Sequence, residues 1–302
     1  MNKSIQQNHE PLQVSTLSLI GTIADVIQAD FQQYFATFIP MLVSLLTTVP
    51  ANSMEAKKLR AKAITTIGSI ITSVSDSEDK SPFMANVLEI TQHLSQTLQG
   101  RLSDDDPQDE AIKDTLAQCA GFLGPDFTQF MPMLVDQLIV DARLSLDFKM
   151  ESADVPSTTD HVKMRVKVKG LGEQKISMNT DALVRKTGAF AVLQRISENM
   201  GRAFAPFVEP LLPIVSEHMA FAHSKRIRKL ALKTFKSMLE AVDEPTNYQL
   251  LQQALPMYVE QLQKALQTHD EKTAKILIKS LANNIRAVGR GTKNQEHIMT
   301  DA

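Results

Sequence analysis

One phrase recurs along this chain, and it restricts the fold more than any other feature. It reads FATFIPMLVSLL at 35–46, FTQFMPMLVDQL at 127–138, FAPFVEPLLPIV at 204–215 and LQQALPMYVEQL at 251–262, with a weaker copy, SPFMANVLEITQHL, at 81–94. The landmark prolines Pro40, Pro82, Pro132, Pro213 and Pro256 stand 42, 50, 81 and 43 residues apart. The longest interval equals one repeat plus an insertion of about the same length. Behind each phrase runs a second apolar stripe at helical spacing. Leu59, Ala63, Ile67, Ile70 and Val74 form one. Ile227, Leu230, Ala231, Thr234, Phe235 and Met238 form another, and Ala274, Leu277, Ile278, Leu281 and Ile285 a third.

The second stripes open with related basic words, LRAKAI at 59–64, VRKTGA at 184–189 and IRKLAL at 227–232. A proline-bearing first helix and a second helix with arginine near its start, at a period in the low forties, is the HEAT pattern. The expected fold is therefore all-α, a HEAT-repeat α-α superhelical solenoid of about five to six repeats. Second helices are expected near 13–27, 56–74, 108–123, 181–200, 225–242 and 271–288, and first helices near 31–49, 81–99, 127–141, 204–220 and 247–268. The array is expected to occupy residues 1–302 as a single solenoid segment. It opens on an orphan second helix, and neither end reads as a polar cap.

Two stretches break the period. In GRLSDDDPQDE at 100–110, Asp106 suits an N-cap, Pro107 the first helical position, and Asp109 and Glu110 the positive end of the helix dipole. That leaves Asp104 and Asp105 as surplus acid, so a helix start alone and an added role facing a basic peptide both stay open. The second break is an insertion at 142–180 between the two helices of one repeat. Residues 145–160 read as an acidic, Ser/Thr-rich loop. At 162–179 Val162, Met164, Val166 and Val168 alternate with Lys163, Arg165, Lys167 and Lys169 before a glycine turn, the pattern of a short β-hairpin with one basic face. An isolated two-stranded ribbon is marginal in water, so its valine face needs the solenoid or a partner. A structural clasp and a partner-contacting element stand equal.

The chemistry of an enzyme is not legible. The seven histidines have no zinc-type spacing with one another or with Cys119. GLGEQK is neither a dinucleotide fingerprint nor a phosphate loop. Cys119 lies in the apolar stretch LAQCAGFL and reads as a small core residue. No enzyme, metal or cofactor is expected. A hydrophobic share of 43% with 22% charge describes a folded chain, and one cysteine excludes a disulfide framework. The first ten residues lack the apolar core of a signal peptide, and no apolar run approaches the roughly 18 residues of a membrane helix. Charge is divided unevenly: residues 1–141 carry 17 acidic and 8 basic side chains, the remainder 17 and 24. No aromatic platform accompanies the basic run at 225–236, so protein rather than nucleic acid is the expected partner.

The run SDDDPQDEAIKDTLAQCAGFLGPDFTQFMPMLV at 103–135, followed by KGLGEQKISMNTDALVRKTGAFAVLQ at 169–194, resembles the middle of the karyopherin-β importins, most of all the importin-β3 (karyopherin-β3) branch. An aspartate run before Pro-Gln and a Leu-Gly-acid-Gln insertion feeding a Lys-Thr-x-Ala helix stand in the same order in both. The resemblance covers roughly 30–240. It implies an importin-β-type nuclear transport receptor, or a fragment or shortened paralogue of one, shuttling between cytoplasm and nucleus. Such a receptor holds cargo with a basic import signal on a concave face lined by second helices. It also implies contact with the Ran GTPase, and with phenylalanine-glycine nucleoporin repeats in slots between first helices. This sequence departs from the family in two ways: the amino-terminal repeats that carry the principal Ran contact have no counterpart, and 162–179 is basic where the family is acidic. A HEAT scaffold or regulatory subunit without a transport role is the alternative. The candidate partner-binding residues are Asp104, Asp105, Asp109 and Asp114 on the acidic side and Lys163, Arg165, Lys167 and Lys169 on the hairpin.

Overall fold

The computed structural model describes residues 10–100, 102–103, 105–146, 149–152, 162–168, 172–178 and 180–299; for 10, 149–152, 162–168, 172–178 and 290–299 it describes the backbone alone. Eleven α-helices lie among these residues: α1 Glu10–Ile27, α2 Gln32–Thr48, α3 Met54–Ser73, α4 Ser81–Gln99, α5 Pro107–Leu123 and α6 Met131–Arg143, then α7 Thr180–Met200, α8 Val208–Met219, α9 Lys225–Ala241, α10 Thr246–Gln267 and α11 Glu271–Met299. The second helices α1, α3, α5, α7, α9 and α11 pack each on the next, and every first helix packs on the second helix that follows it. The result is a two-layer helical stack, close to all-α, with one apolar core running its length.

The sequence explains where these helices start. Ser53 Oγ accepts from the Ala56 amide at 3.1 Å to open α3, and Ser224 Oγ accepts from the Ile227 amide at 3.3 Å to open α9. Asp106 caps α5 by accepting from the Gln108 amide at 3.0 Å, with Pro107 behind it. At three repeat junctions a residue with positive φ (Gln28 at 51°, Gly124 at 55°, Gly201 at 50°) ends a second helix and launches a 3-10 turn. Phe31, Phe127 and Phe204 on those turns are buried, which pins each turn to the core. Glycine takes this backbone freely, and Gln28 does so against the usual side-chain preference.

Side-chain rungs fix the spacing of the second-helix layer. Thr66 Oγ1 donates to the Leu17 carbonyl at 3.1 Å, Thr115 Oγ1 to the Ile64 carbonyl at 3.1 Å, and Asn199 Nδ2 to the Ala117 carbonyl at 3.2 Å. The α5–α7 approach at Asn199 is close: a Cβ on Gly121 would lie 2.9 Å from Asn199 Nδ2 and would shift that amide. Two arginines add longer rungs. Arg60 donates to the Leu46 carbonyl, to the Val49 carbonyl at 2.9 Å and to Gln108 Oε1 at 2.7 Å. Arg228 donates to the Phe221 carbonyl at 2.9 and 3.1 Å and to Thr273 Oγ1 at 3.1 Å. Each holds the end of its own first helix and the first turn of the next second helix. One turn earlier, Lys57 pairs with Asp106 at 2.9 Å and Lys225 with Asp270 at 3.1 Å.

Three features differ from the sequence reading. Of the third stripe Ala274 and Leu277 are buried but Ile278 and Ile285 are exposed, and α11 buries Ala287 outside the stripe, because α9 and α10 cover only one side of it. On α1 the exposed Leu12, Leu19, Ile23 and Val26 form a similar uncovered face. Within Pro11–Thr48 an 18-residue window reaches a mean hydropathy of 1.3, long and apolar enough for a membrane span by composition. The chain breaks that run at Gln28, and α1 and α2 both pack on α3.

Between α6 and α7, where a two-stranded hairpin is expected, three strands form an antiparallel sheet of order β1-β3-β2: β1 Lys149–Ser152, β2 Val162–Val168 and β3 Gly172–Met178. β1 falls in a stretch read as loop; it pairs Met150 with Ile176 on the central strand. A three-stranded sheet escapes the marginality of a lone ribbon.

Asp270 gives this ladder a pH signature. Hydrogen bonds from the Thr273 hydroxyl and amide, helped by Lys225, hold its carboxyl at about 2, below the usual carboxylate range. A depressed folded pKa contributes stability that is full above the unfolded value of about 3.9 and is lost as pH falls toward 2. Urea unfolding followed by circular dichroism from about pH 5 down to pH 2 is expected to be less pH-dependent in Asp270→Asn than in the parent.

Candidate functional site

An open groove of about 430 Å³ runs across α5, α7 and the start of α9 on the second-helix layer. Its α5 wall carries Asp109, Glu110, Lys113 and Asp114; its α7 wall carries Arg185 and Arg195, and Arg226 closes the α9 end. Below the groove Lys113 Nζ sits between Asp109 Oδ2, at 2.6 Å, and Asp141 Oδ2, while Arg185 Nη2 reaches Asp141 Oδ1 at 2.7 Å. Lys113 and Asp141 are buried, so this four-residue network joins α5, α6 and α7 in a dry setting. Beside it Lys186 Nζ donates to the Ala142 carbonyl and lies 3.1 Å from His218 Nε2. Burial lowers the pKa of Lys186 and of His218; for His218 the nearby Lys186 charge pushes the same way, against the hydrogen bond to the Ile214 carbonyl.

The acidic candidates separate by role. Asp109 is committed to Lys113. Asp114 stands 3.7 Å from Arg195, both about half exposed, a pair that solvent screens to little net strength. Asp105 is exposed just before the α5 cap and does not line the groove. Asp104 lies outside the described residues. Asp106 is the cap itself: burial raises its pKa, but the Gln108 amide and Lys57 outweigh that and hold the carboxyl below its ordinary value. The groove lining is thus balanced in formal charge, four acids against four bases. Glu110, absent from the candidate set, is exposed on the groove wall with no ion pair to a described residue. Asp141, Arg185 and Arg195 were not singled out either. Asp141 sits at the end of a first helix and the arginines on α7, so only the tertiary pairing shows their part.

The basic candidates fall on the sheet. Lys163, Arg165 and Lys167 occupy alternate positions of edge strand β2, opposite Ser177, Lys175 and Glu173 of β3. Their side chains and the whole of Lys169 lie outside the described residues. Among the described residues no sizeable contact joins β2 to α5.

A second groove of about 320 Å³ lies on the first-helix layer between α4 and α6, lined by Leu98, Pro132, Met133 and Val140 among others. Among the described residues no three His, Cys, Asp or Glu side chains are grouped to hold a metal ion. Cys119 is fully buried, and burial pushes its thiol up to about 12, far from a nucleophile's range.

Two layers of paired helices, rung by rung, define a HEAT-repeat solenoid, and comparison with known proteins sharpens that class. The chain is 27% identical over 148 residues to a probable importin-5 homolog of Dictyostelium discoideum, covering 49% of this chain and 13% of that protein. It is 22% identical over 212 residues to importin subunit beta-3 of Saccharomyces cerevisiae, covering 69% and 18%. The crystal structure of Kap121p superimposes with a TM-score of 0.72 at 19% identity, over 95% of this chain and 28% of that one. No family model matches the sequence. The chain is thus similar to importin-β (karyopherin) proteins, shares the solenoid fold of Kap121p, and spans less than a fifth of the length of these curated relatives.

The buried network and the groove acids are expected to respond differently to mutation. Asp141→Asn strips the charge that neutralises Lys113 and Arg185 and is expected to cost about 3–5 kcal/mol in urea unfolding. Asp114→Asn, at an exposed pair, is expected to cost under about 1 kcal/mol.

Proposed function

We propose that this chain, alone or as a segment of a longer array, works as a nuclear transport receptor that binds a lysine-rich protein segment in the α5/α7/α9 groove. The observation that carries the reading is the groove itself: an open channel across successive second helices, with Glu110 and a weakly held Asp114 facing solvent on its α5 wall. Lysine side chains of an extended segment meet Glu110 and displace Arg195 from Asp114, a cheap exchange because the resident pair is long and wet. Asp105 adds charge at the approach and steers the encounter at low salt. Kap121p, the structural neighbour, has been crystallised bound to Pho4p, to Ste12p and to RanGTP. By analogy the cargo is released here when GTP-loaded Ran engages the receptor, and the protein shuttles between cytoplasm and nucleus.

Fluorescence anisotropy with a labelled lysine-rich peptide tests the cargo reading. Glu110→Gln with Asp114→Asn is expected to weaken binding about tenfold at low salt, the loss of two charge-assisted contacts. Unchanged affinity sinks it. Release of the peptide by GTP-loaded Ran supports a carrier, whereas a partner that Ran leaves in place supports a fixed scaffold.

On the opposite layer, the α4/α6 groove is proposed to take a phenylalanine side chain of a nucleoporin repeat. Met133 supplies an adaptable wall and Val140, 54% exposed, an apolar rim. Kap121p has also been crystallised with Nup53p. Val140→Asp is expected to reduce binding of a phenylalanine-glycine peptide several-fold in the same assay while sparing the lysine-rich peptide.

A further inference from the structure

The basic run at 225–236 is not absorbed by the cargo reading. Lys229, Lys233 and Lys236 stand at i, i+4 and i+7 on α9 and line a third groove of about 320 Å³, whose far wall is α11 with Lys279. Among the described residues no carboxylate and no aromatic ring lines it. Lys236 is paired with Glu240 at 2.7 Å, but Lys229, Lys233 and Lys279 are exposed and carry no ion pair among the described residues. Four ammonium groups in one groove repel each other and favour an anion between the helices.

Asn284 narrows the choice of anion. It lines this groove and is fully buried, and its Nδ2 donates to Tyr258 Oη at 2.9 Å, which in turn lies 2.7 Å from Ser280 Oγ. That chain commits the amide nitrogen inward and leaves Oδ1 without a hydrogen-bond partner. An unsatisfied buried acceptor costs about 1–3 kcal/mol, and it needs a donor. A fully ionised phosphate ester or a bare carboxylate has none to give; a peptide brings N–H groups and carboxylates together. A nucleobase also brings both, but the groove has no ring on which to stack it. The lysine row spans about 10 Å along α9, the reach of about three residues of extended chain.

We propose that the α9/α11 groove binds an acidic peptide segment of a partner protein, its carboxylates paired by Lys229, Lys233, Lys236 and Lys279 and one backbone N–H accepted by Asn284 Oδ1. This site is separate from the α5/α7/α9 groove and opposite in charge preference. The receptor then holds a basic and an acidic segment at the same time, on one layer of the stack.

The test uses the full chain, a labelled peptide rich in glutamate, the same peptide with N-methylated backbone, and inorganic polyphosphate, at about 50 mM salt where exposed pairs are least screened. The glutamate peptide is expected to bind, and Lys229→Gln/Lys233→Gln/Lys279→Gln to weaken it about tenfold without changing the circular dichroism spectrum, since all three side chains are exposed. The N-methylated peptide is expected to bind the parent about fivefold more weakly, as one hydrogen bond is lost. Equal binding of the two peptides overturns the role of Asn284. Equal binding of the glutamate peptide by parent and triple variant overturns the site, and tighter binding of polyphosphate than of peptide assigns the lysines to phosphate instead. The lysine-rich peptide, measured in parallel, reports on the other groove, so failure of one reading leaves the other standing.

Discussion

The stack depends on an arginine that finishes one helix and starts the next. Arg60 and Arg228 each hold carbonyls at or just beyond the end of a first helix, the negative pole of its dipole, and reach a polar side chain in the first turn of the following second helix. A guanidinium suits this because it donates along several fixed directions at once. Burial lowers the pKa of both arginines, and Asp106 or Asp270 nearby pushes back, so the acid that caps the next helix also supports the rung below it. With that distance set, the short rungs from Thr66, Thr115 and Asn199 reach carbonyls on neighbouring helices.

At the α5–α7 joint the same problem has a different solution. Arg185 turns to Asp141, and the carbonyl at the end of α6 is taken by Lys186. The exchange buries three charged side chains, Lys113, Asp141 and Lys186, and uses up Asp109. Asp109, Lys113, Asp141 and Arg185 also line the groove between α5 and α7. Two surfaces follow from this one layer: a balanced groove at α5/α7 and a cationic one at α9/α11.

Helix order and the core stripes were legible because a proline-marked phrase and an arginine-bearing word repeat at nearly constant spacing. The cap at Asp106 was legible as well, because it is local in chain and depends on residue type. What escaped was every feature decided by a distant partner. Asp109 reads as available acid until Lys113 and Asp141 are placed beside it. Glu110 reads as ordinary dipole compensation until its neighbours are paired and it has no ion pair among the described residues. β1 escaped because Lys149–Ser152 is too short and polar to show a two-residue period, and forms only against β3. Ile278 and Ile285 show that a stripe reports which residues pack only when helices lie on both sides of it.

The long excursion between Arg143 and Thr180 leaves and rejoins the stack where α6 and α7 are already bolted together by Asp141, Arg185 and Lys186. The bolt holds the two ends of that loop together at its base. Lengthening such a loop twofold costs only about 0.6 kcal/mol of closure entropy. The joint therefore behaves as a socket: segments of different length or charge can be exchanged there over generations while the rungs on either side keep their register.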